Sequence, residues 1–309
     1  MWTVYFHNVV AGPLDELDRR LSRLSATEFA SQVAFLCRHL RPVPLAELLS
    51  RHANGDDDPR AVAVTFDDGY RGVLTHAAAI LAEAGIAAEL FVVTETLEDS
   101  ADHLFHFEEI EMAFRLTTAP ALDLDLLGER LPLGSVPDRV RGMKRLKKRL
   151  KVLPEPERRF WHETVLERLG VTPRDCRAAA AGREAYAVLG RDELLRLQEA
   201  GWTLGAHTRT HRTLSCLDEA ELQSEVAGCR DDLVGQLGLP GDLPFAYPYG
   251  GPEHVGPAAP AAVAAAGYGC AFTTVPARCT PASDRFLLPR MEWPELRQKL
   301  MAPAWGGAR

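Results

Sequence analysis

Short apolar runs alternate with amphipathic segments along most of the chain. The runs at residues 61–66 and 88–93 are rich in β-branched and aromatic residues, and residues 72–84 between them have a helical pattern. Predicted strands span residues 2–7, 61–66, 88–93, 202–206, 245–247 and 270–273. Predicted helices span residues 27–39, 72–84, 192–200, 218–237 and 258–266. Because strands that alternate with helices form parallel sheets, the pattern predicts an α/β fold.

The middle of the chain, residues 99–185, departs from this alternation and is charged and mostly helical in pattern. Its most basic part is residues 139–151, where eight of the thirteen positions are Lys or Arg. One interpretation is the solvated face of a helix on an inserted segment. The other is a surface for a phosphate-bearing substrate or carrier. The sequence leaves both open.

Composition narrows the class of protein. The chain has 309 residues, 46% hydrophobic and 25% charged, which is typical of a globular protein. A net charge of −8 argues against a nucleic-acid-binding protein, which would be basic. No apolar stretch is long enough to predict a transmembrane segment. The first residues lack the features of a signal peptide, so we expect a cytoplasmic protein.

Two carboxylates follow the predicted strand at residues 61–66. Asp67 and Asp68 would lie at the carboxyl end of that strand, where parallel α/β folds place their sites. The pair is compatible with an ordinary Asp-Gly turn. It is also compatible with a metal that binds one carboxylate and leaves the other as a base, which removes their mutual repulsion.

Two further motifs also follow predicted strands. In HTRTH, the i, i+4 spacing predicts that His207 and His211 share one helical face and can bind one ion. With Asp68 they would form a site with open positions, which suits catalysis. In FAYPYG (residues 245–250), a turn with exposed N–H groups could bind an oxyanion, although an ordinary loop has the same composition.

In the order TFDDGY (residues 65–70), HTRTH and FAYPYG, the motifs resemble the polysaccharide deacetylase family, the NodB homology group of carbohydrate esterase family 4. The resemblance covers residues 2–93 and about 189–293. It implies a distorted (β/α) barrel of seven or eight parallel strands. Asp68 and His207 lie on either side of residues 99–185. We therefore predict a single deacetylase domain over residues 1–309, with residues 99–185 as a helical insertion.

The family's site residues can be carried over motif by motif. The resemblance implies that Asp67 is the catalytic base and that the backbone amide of Tyr249 helps to bind the oxyanion. It implies that Asp68, His207 and His211 bind a divalent metal ion, with zinc expected. We also assign four residues to substrate binding: Tyr70, Pro248, His103 and His106.

The implied reaction removes an N-acetyl group from a substrate that contains an amino sugar, with a metal-bound water as nucleophile. An N-acetylated saccharide or amino-sugar intermediate is the expected partner. Two alternatives remain: a deacylase or deformylase of a lipid-linked or natural-product amide, and a non-catalytic carbohydrate-binding protein on the same fold. The oligomeric state stays open, and a homo-oligomer is compatible with the sequence.

The sequence departs from the family pattern at two places. Many members carry an arginine in the third motif that pairs with the catalytic Asp, where this chain has Ala246. We hypothesise that Arg290 takes that role, the alternative being a surface arginine. Many members also use a late histidine as general acid, but no histidine follows His254. The candidates for this role are His7, His103, His106, His254 and Glu292. Of these we assign His7 to catalysis because it ends the first strand.

Overall fold

The computed structural model describes residues 1–19, 21, 23–98 and 100–302. The strands are β1 (Trp2–Phe6), β2 (Val9–Val10), β3 (Leu24–Ser25), β4 (Arg41–Pro42), β5 (Ala61–Phe66), β6 (Ala88–Val92), β7 (Ala121–Leu124), β8 (Glu129–Pro132), β9 (Thr203–Ala206), β10 (Pro244–Ala246), β11 (Cys270–Phe272) and β12 (Met291–Glu292). The helices are α1 (Glu16–Arg19), α2 (Ala26–His39), α3 (Leu45–Ala53), α4 (Ala78–Glu83), α5 (His106–Leu116), α6 (Val136–Leu150), α7 (Glu155–Arg168), α8 (Pro173–Ala180), α9 (Arg191–Glu199), α10 (Glu219–Leu237), α11 (Pro252–Val255), α12 (Ala259–Ala265) and α13 (Trp293–Met301).

Within these described ranges, eight strands form one sheet in the order β11-β10-β9-β6-β5-β1-β12, with β4 paired to β5. All of its strand pairs are parallel. The sheet curls into a half-barrel with helices around it. This confirms the predicted distorted (β/α) barrel of seven or eight strands.

The central strands are buried on both faces, which explains their continuous apolar sequences. Every residue of β1, β5 and β6 is buried. The register pairs Phe6 with Phe66, so β1 and β5 end at the same level of the sheet. The residues that follow these strands, His7 and Asp67, are therefore brought to the same edge.

The strands and helices predicted from the alternating pattern agree with the observed ones to within a residue or two, except at residues 72–84. Helix α2 begins after Ser25, whose hydroxyl accepts the Glu28 N–H in a capping box. The predicted helix at residues 72–84 instead opens with a π-helical turn, Val73–Ala77, before α4. The four two-residue strands, β2, β3, β4 and β12, were not predicted, and neither were helices α1, α3, α11 and α13.

Residues 100–190, between β6 and α9, contain helices α5 to α8 and the antiparallel hairpin β7–β8. These elements share an apolar core of their own, which includes Phe114, Leu131 and Leu146. A buried hydrogen bond, 2.7 Å long, from the Tyr70 hydroxyl to Glu108 links this unit to the barrel. No helix in the described part of the chain has the length and apolarity to cross a membrane.

Candidate active site

A buried ion pair connects the end of β5 to the residue before β12. The Asp67 N–H donates to the Phe6 carbonyl at 2.9 Å, which fixes the backbone. Arg290, which is 0% exposed, donates to both oxygens of Asp67, at 2.7 Å to Oδ1 and 2.8 Å to Oδ2. Burial alone would raise the pKa of Asp67. The Arg290 guanidinium and nearby histidines outweigh it and hold this pKa below its ordinary value.

Beside this pair, Asp68, His207 and His211 converge. All three are buried, and their potential ligand atoms lie within 4.8 Å of one another. The Asp68 Oδ1 atom is 3.4 Å from His207 Nε2 and 3.3 Å from His211 Nε2. It accepts no hydrogen bond from the residues that the structure describes. A buried carboxylate oxygen that faces two imidazole nitrogens is a donor set that fits a divalent cation.

The tautomer of His207 supports the same interpretation. Its Nδ1 atom is 2.7 Å from the Ala246 carbonyl oxygen, so Nδ1 carries the proton and donates it. The Nε2 lone pair then points toward Asp68. Burial would lower the pKa of His207, but Asp67 and Asp68 raise it above its ordinary value. Burial dominates at His211, and its pKa is lowered.

The prediction that the two histidines share a helical face is wrong. His207 follows β9 directly, and the next residues form an irregular loop in which Thr208 has φ 66° and His211 has φ 56°. The reason is competition for the backbone: the Glu225 carboxylate of α10 accepts the N–H groups of Arg209 and Thr210 at 3.0 and 2.9 Å. The loop, rather than a helix, brings the imidazoles together.

The third motif forms a tight loop after β10. The Thr274 hydroxyl donates to the Tyr249 carbonyl at 2.7 Å, and Tyr249 is left-handed with φ 61°. Gly250 also has a positive φ, and a Cβ atom there would lie 2.5 Å from the Thr274 nitrogen. The loop therefore packs closely on Thr274, two residues after the end of β11. Its Tyr249 ring meets the His211 ring edge-on, with 4.8 Å between centroids.

These groups open into one cavity of about 300 Å³ at the carboxyl ends of the strands. Of the candidate general acids, His7 and Glu292 line it, as do Asp67 and Tyr249. His103 and His106 line a neighbouring cavity instead, and His254 lies in an outer groove.

The four residues assigned to substrate binding therefore do not lie in one cavity. Tyr70 lines the cavity, although its hydroxyl is engaged by Glu108. Pro248 is buried in its loop, where its carbonyl accepts the Gly250 N–H at 2.7 Å.

Sequence reasoning missed the wall that the segment between β6 and β9 adds to the cavity. Phe107 of α5 and Lys147 of α6 line it, together with Lys151 just after α6. The Lys151 ammonium lies 3.9 Å from the centroid of the Tyr249 ring. Burial and the neighbouring Lys147 lower the pKa of Lys151 to about 8. The signal was present in the i, i+4 spacing of the two lysines, but the sequence does not show what a helix face contacts.

Comparisons with known proteins identify the family and the fold. The family model described as polysaccharide deacetylase matches residues 54–144 and 173–269, more than half of the chain. No curated protein matches the sequence.

Solved structures share the fold at low sequence identity. Deacetylase PplD of Streptococcus pyogenes, in complex with acetate, has a TM-score of 0.61 and 14% identity, with 98% of each chain covered. IcaB of Ammonifex degensii has a TM-score of 0.57 and 17% identity, with 99% of this chain and 97% of that chain covered. A de-N-acetylase of Aggregatibacter actinomycetemcomitans has a TM-score of 0.54 and 13% identity, with 94% and 93% covered.

Proposed function

The chain belongs to the polysaccharide deacetylase family, and from that premise we propose that it is a metal-dependent hydrolase that removes an N-acetyl group from an amino-sugar-containing substrate. The observation that carries the proposal is that two adjacent carboxylates have different partners. Asp67 is paired with Arg290, whereas Asp68 faces two imidazole nitrogens. One carboxylate is thereby kept for proton transfer and the other for a cation.

Asp68, His207 and His211 would hold the ion, and the nitrogen-rich donor set favours zinc. When bound, a divalent cation supplies Lewis acidity, which polarises an acyl oxygen and lowers the pKa of water. The remaining chemistry belongs to the chain itself. Asp67 stays ionised at neutral pH because Arg290 lowers its pKa, so it can accept a proton from the attacking water.

Attack forms a carbon–oxygen bond at the acetyl carbon and places negative charge on the former carbonyl oxygen. The Tyr249 N–H is suited to donate to that oxygen because the left-handed backbone at Tyr249 is held by Thr274. Cleavage of the carbon–nitrogen bond then requires a proton on the leaving amine. We propose His7 as its donor, since His7 lines the same cavity as Asp67.

The test is acetate release from a panel of N-acetylated amino sugars, with metal content measured on the same preparation. We expect stoichiometric zinc and acetate release in the wild type. Asp67→Asn should keep the metal and lose activity by about 10³-fold or more, because the carboxylate that accepts the proton is gone. Asp68→Asn should lose both metal and activity.

The same panel separates the alternatives. Release of formate or of a longer acyl group, with no acetate, would indicate a deformylase or a deacylase. Saccharide binding without metal and without any acid product would indicate a carbohydrate-binding protein and overturn the proposal.

A further inference from the structure

The last part of α6 and the residue that follows it carry a row of lysines that the proposed reaction does not use. Lys144, Lys147, Lys148 and Lys151 follow the i, i+3, i+4, i+7 spacing, which places them along one side of the helix. The row extends about 10 Å along the axis at 1.5 Å per residue. The helix packs by another side, through residues such as Met143, Leu146 and Leu150.

The row, which we call the lysine stripe, runs into the active-site cavity. Lys147 and Lys151 line that cavity, and both also line an outer groove of about 810 Å³ together with Lys144 and Lys148. The groove and the cavity therefore meet at the two inner lysines. A substrate whose acetamido group reaches Asp67 would have its next group beside them.

The stripe has far more positive charge than local carboxylates neutralise. Lys147 is bonded to Glu111 at 2.5 Å. Within the described residues, Lys144, Lys148 and Lys151 have no carboxylate in ion-pair contact. Lys151 is only partly exposed and lies over an aromatic ring, so its charge is less screened than that of a lysine at the surface.

The lining of the groove also includes apolar side chains. Leu126, Leu127 and Val152 line it, and Val152 is 40% exposed. A single carboxylate would engage one lysine, whereas a row of this length matches a group with several negative oxygens. Apolar side chains in the same groove can contact a further group that is attached to the anion.

We propose that the substrate is a glycosyl phosphate or diphosphate, whose phosphate oxygens lie on the lysine stripe while the N-acetyl group reaches Asp67. This inference rests on the proposed deacetylase function and adds the substrate class. The phosphate contacts would be charge-assisted and would align the sugar within the cavity. The group beyond the phosphate, either a nucleoside or a prenyl chain, is resolved by the experiment.

The first experiment compares four probes on the zinc-loaded enzyme: N-acetylglucosamine, its 1-phosphate, its uridine diphosphate conjugate and its short-chain prenyl diphosphate conjugate. We expect kcat/KM to be on the order of a hundredfold higher for the phosphate-bearing probes than for the neutral sugar. The better of the two conjugates identifies the source of the phosphate. Equal kcat/KM for neutral and phosphate-bearing probes would overturn the proposal.

The second experiment uses the double variant Lys144→Gln/Lys148→Gln, which changes the groove without touching the cavity. We expect the preference for phosphate-bearing over neutral probes to fall about tenfold or more. The matched control is Arg130→Gln/Arg141→Gln, which removes two exposed charges of the same segment outside the groove. An unchanged preference in the lysine variant, or an equal fall in the control, would contradict the proposal.

A binding measurement separates this proposal from the proposed function. Calorimetry with inorganic pyrophosphate reports on the stripe whether or not acetate is released. Weaker binding in the lysine variant than in the wild type and the arginine control supports the stripe, even if no probe is hydrolysed. Acetate release with no difference in pyrophosphate affinity retains the deacetylase and overturns the stripe.

Discussion

At the scale of single residues, backbone strain is concentrated at the site. Among the described non-glycine residues, those with positive φ are Asp68, Thr208, His211 and Tyr249. Each conformation costs about 1–3 kcal/mol and persists only where neighbours hold it. Two hydrogen bonds stabilise these conformations. The Thr208 hydroxyl accepts the His211 N–H, and the Thr274 hydroxyl donates to the Tyr249 carbonyl. The backbone strain of the described non-glycine residues is therefore confined to the loops of the candidate site.

Arg290 is the residue on which the charge of Asp67 depends. Arg290→Ala leaves a buried carboxylate uncompensated, which should lower the free energy of unfolding by about 3 kcal/mol. It should also lower kcat at least about a hundredfold by misplacing the base. Chemical denaturation and acetate release measure the two effects. Near-normal kcat would rule out a role for the pair in the reaction.

A matched control for Arg290 exists at the surface. Arg278 also donates to both oxygens of one carboxylate, Asp57, at 2.8 and 2.9 Å, but both side chains are about one-third exposed. Arg278→Ala should cost no more than about 1 kcal/mol and leave kcat unchanged. A similar loss for both variants would mean that burial of the pair is not the cause.

The general acid can be tested in the same way. His7→Ala should lower kcat by about 10²- to 10⁴-fold while the zinc content stays at the wild-type level, because a proton donor is lost and no ligand is changed. His39→Ala, at an exposed position of α2, is the histidine control. If His7→Ala is fully active, Glu292 becomes the donor to test, since it lines the same cavity.

At the scale of elements, the central strands β1, β5 and β6 could be predicted because each carries a run of buried apolar residues. The same reasoning could not predict β12, because two residues provide no periodicity. It failed at HTRTH because i, i+4 spacing is shared by a helix and by a loop that folds back on itself. What decides between them is Glu225, sixteen residues from Arg209, a contact that no local pattern contains.

One cross-strand pair predicts a pH-dependent stability. Glu89 on β6 is opposite Thr203 on β9, whose hydroxyl donates to it, and burial raises the pKa of Glu89 to about 7. Between about pH 4.5 and 7 the folded chain holds a proton that the unfolded chain has lost. Stability should therefore fall as pH rises through this range, by on the order of 3 kcal/mol.

The variant Glu89→Gln isolates this contribution. An amide does not titrate, so the difference in free energy of unfolding between variant and wild type should move in favour of the variant from pH 5 to pH 8. Denaturant titrations at several pH values measure it. If the free energy of unfolding changes with pH in the same way for the variant and the wild type, Glu89 does not titrate in this range.

At the scale of the whole molecule, the site is assembled from segments far apart in the sequence. Asp68 follows β5, the histidines follow β9, and Arg290 precedes β12. The order of the motifs was sufficient to predict this barrel edge. It could not predict the wall formed by α5 and α6, because nothing in the sequence of residues 99–185 shows which faces turn toward the barrel. We propose that these residues are an insertion in one catalytic domain, with α6 beside the cavity.

A bound metal should therefore act as a cross-link between the two flanks of that segment. Zinc at 100 times its Kd adds about 2.7 kcal/mol to the free energy of unfolding. With an unfolding entropy of about 2.1 cal/mol/K per residue, this raises Tm by about 4 °C in a chain of 309 residues. Asp68→Ala and His211→Ala each remove one ligand and should abolish the shift, whichever flank they change. His39→Ala should retain it. A zinc-dependent shift that survives in Asp68→Ala would mean that the ion binds elsewhere and that the two flanks are not joined through this carboxylate.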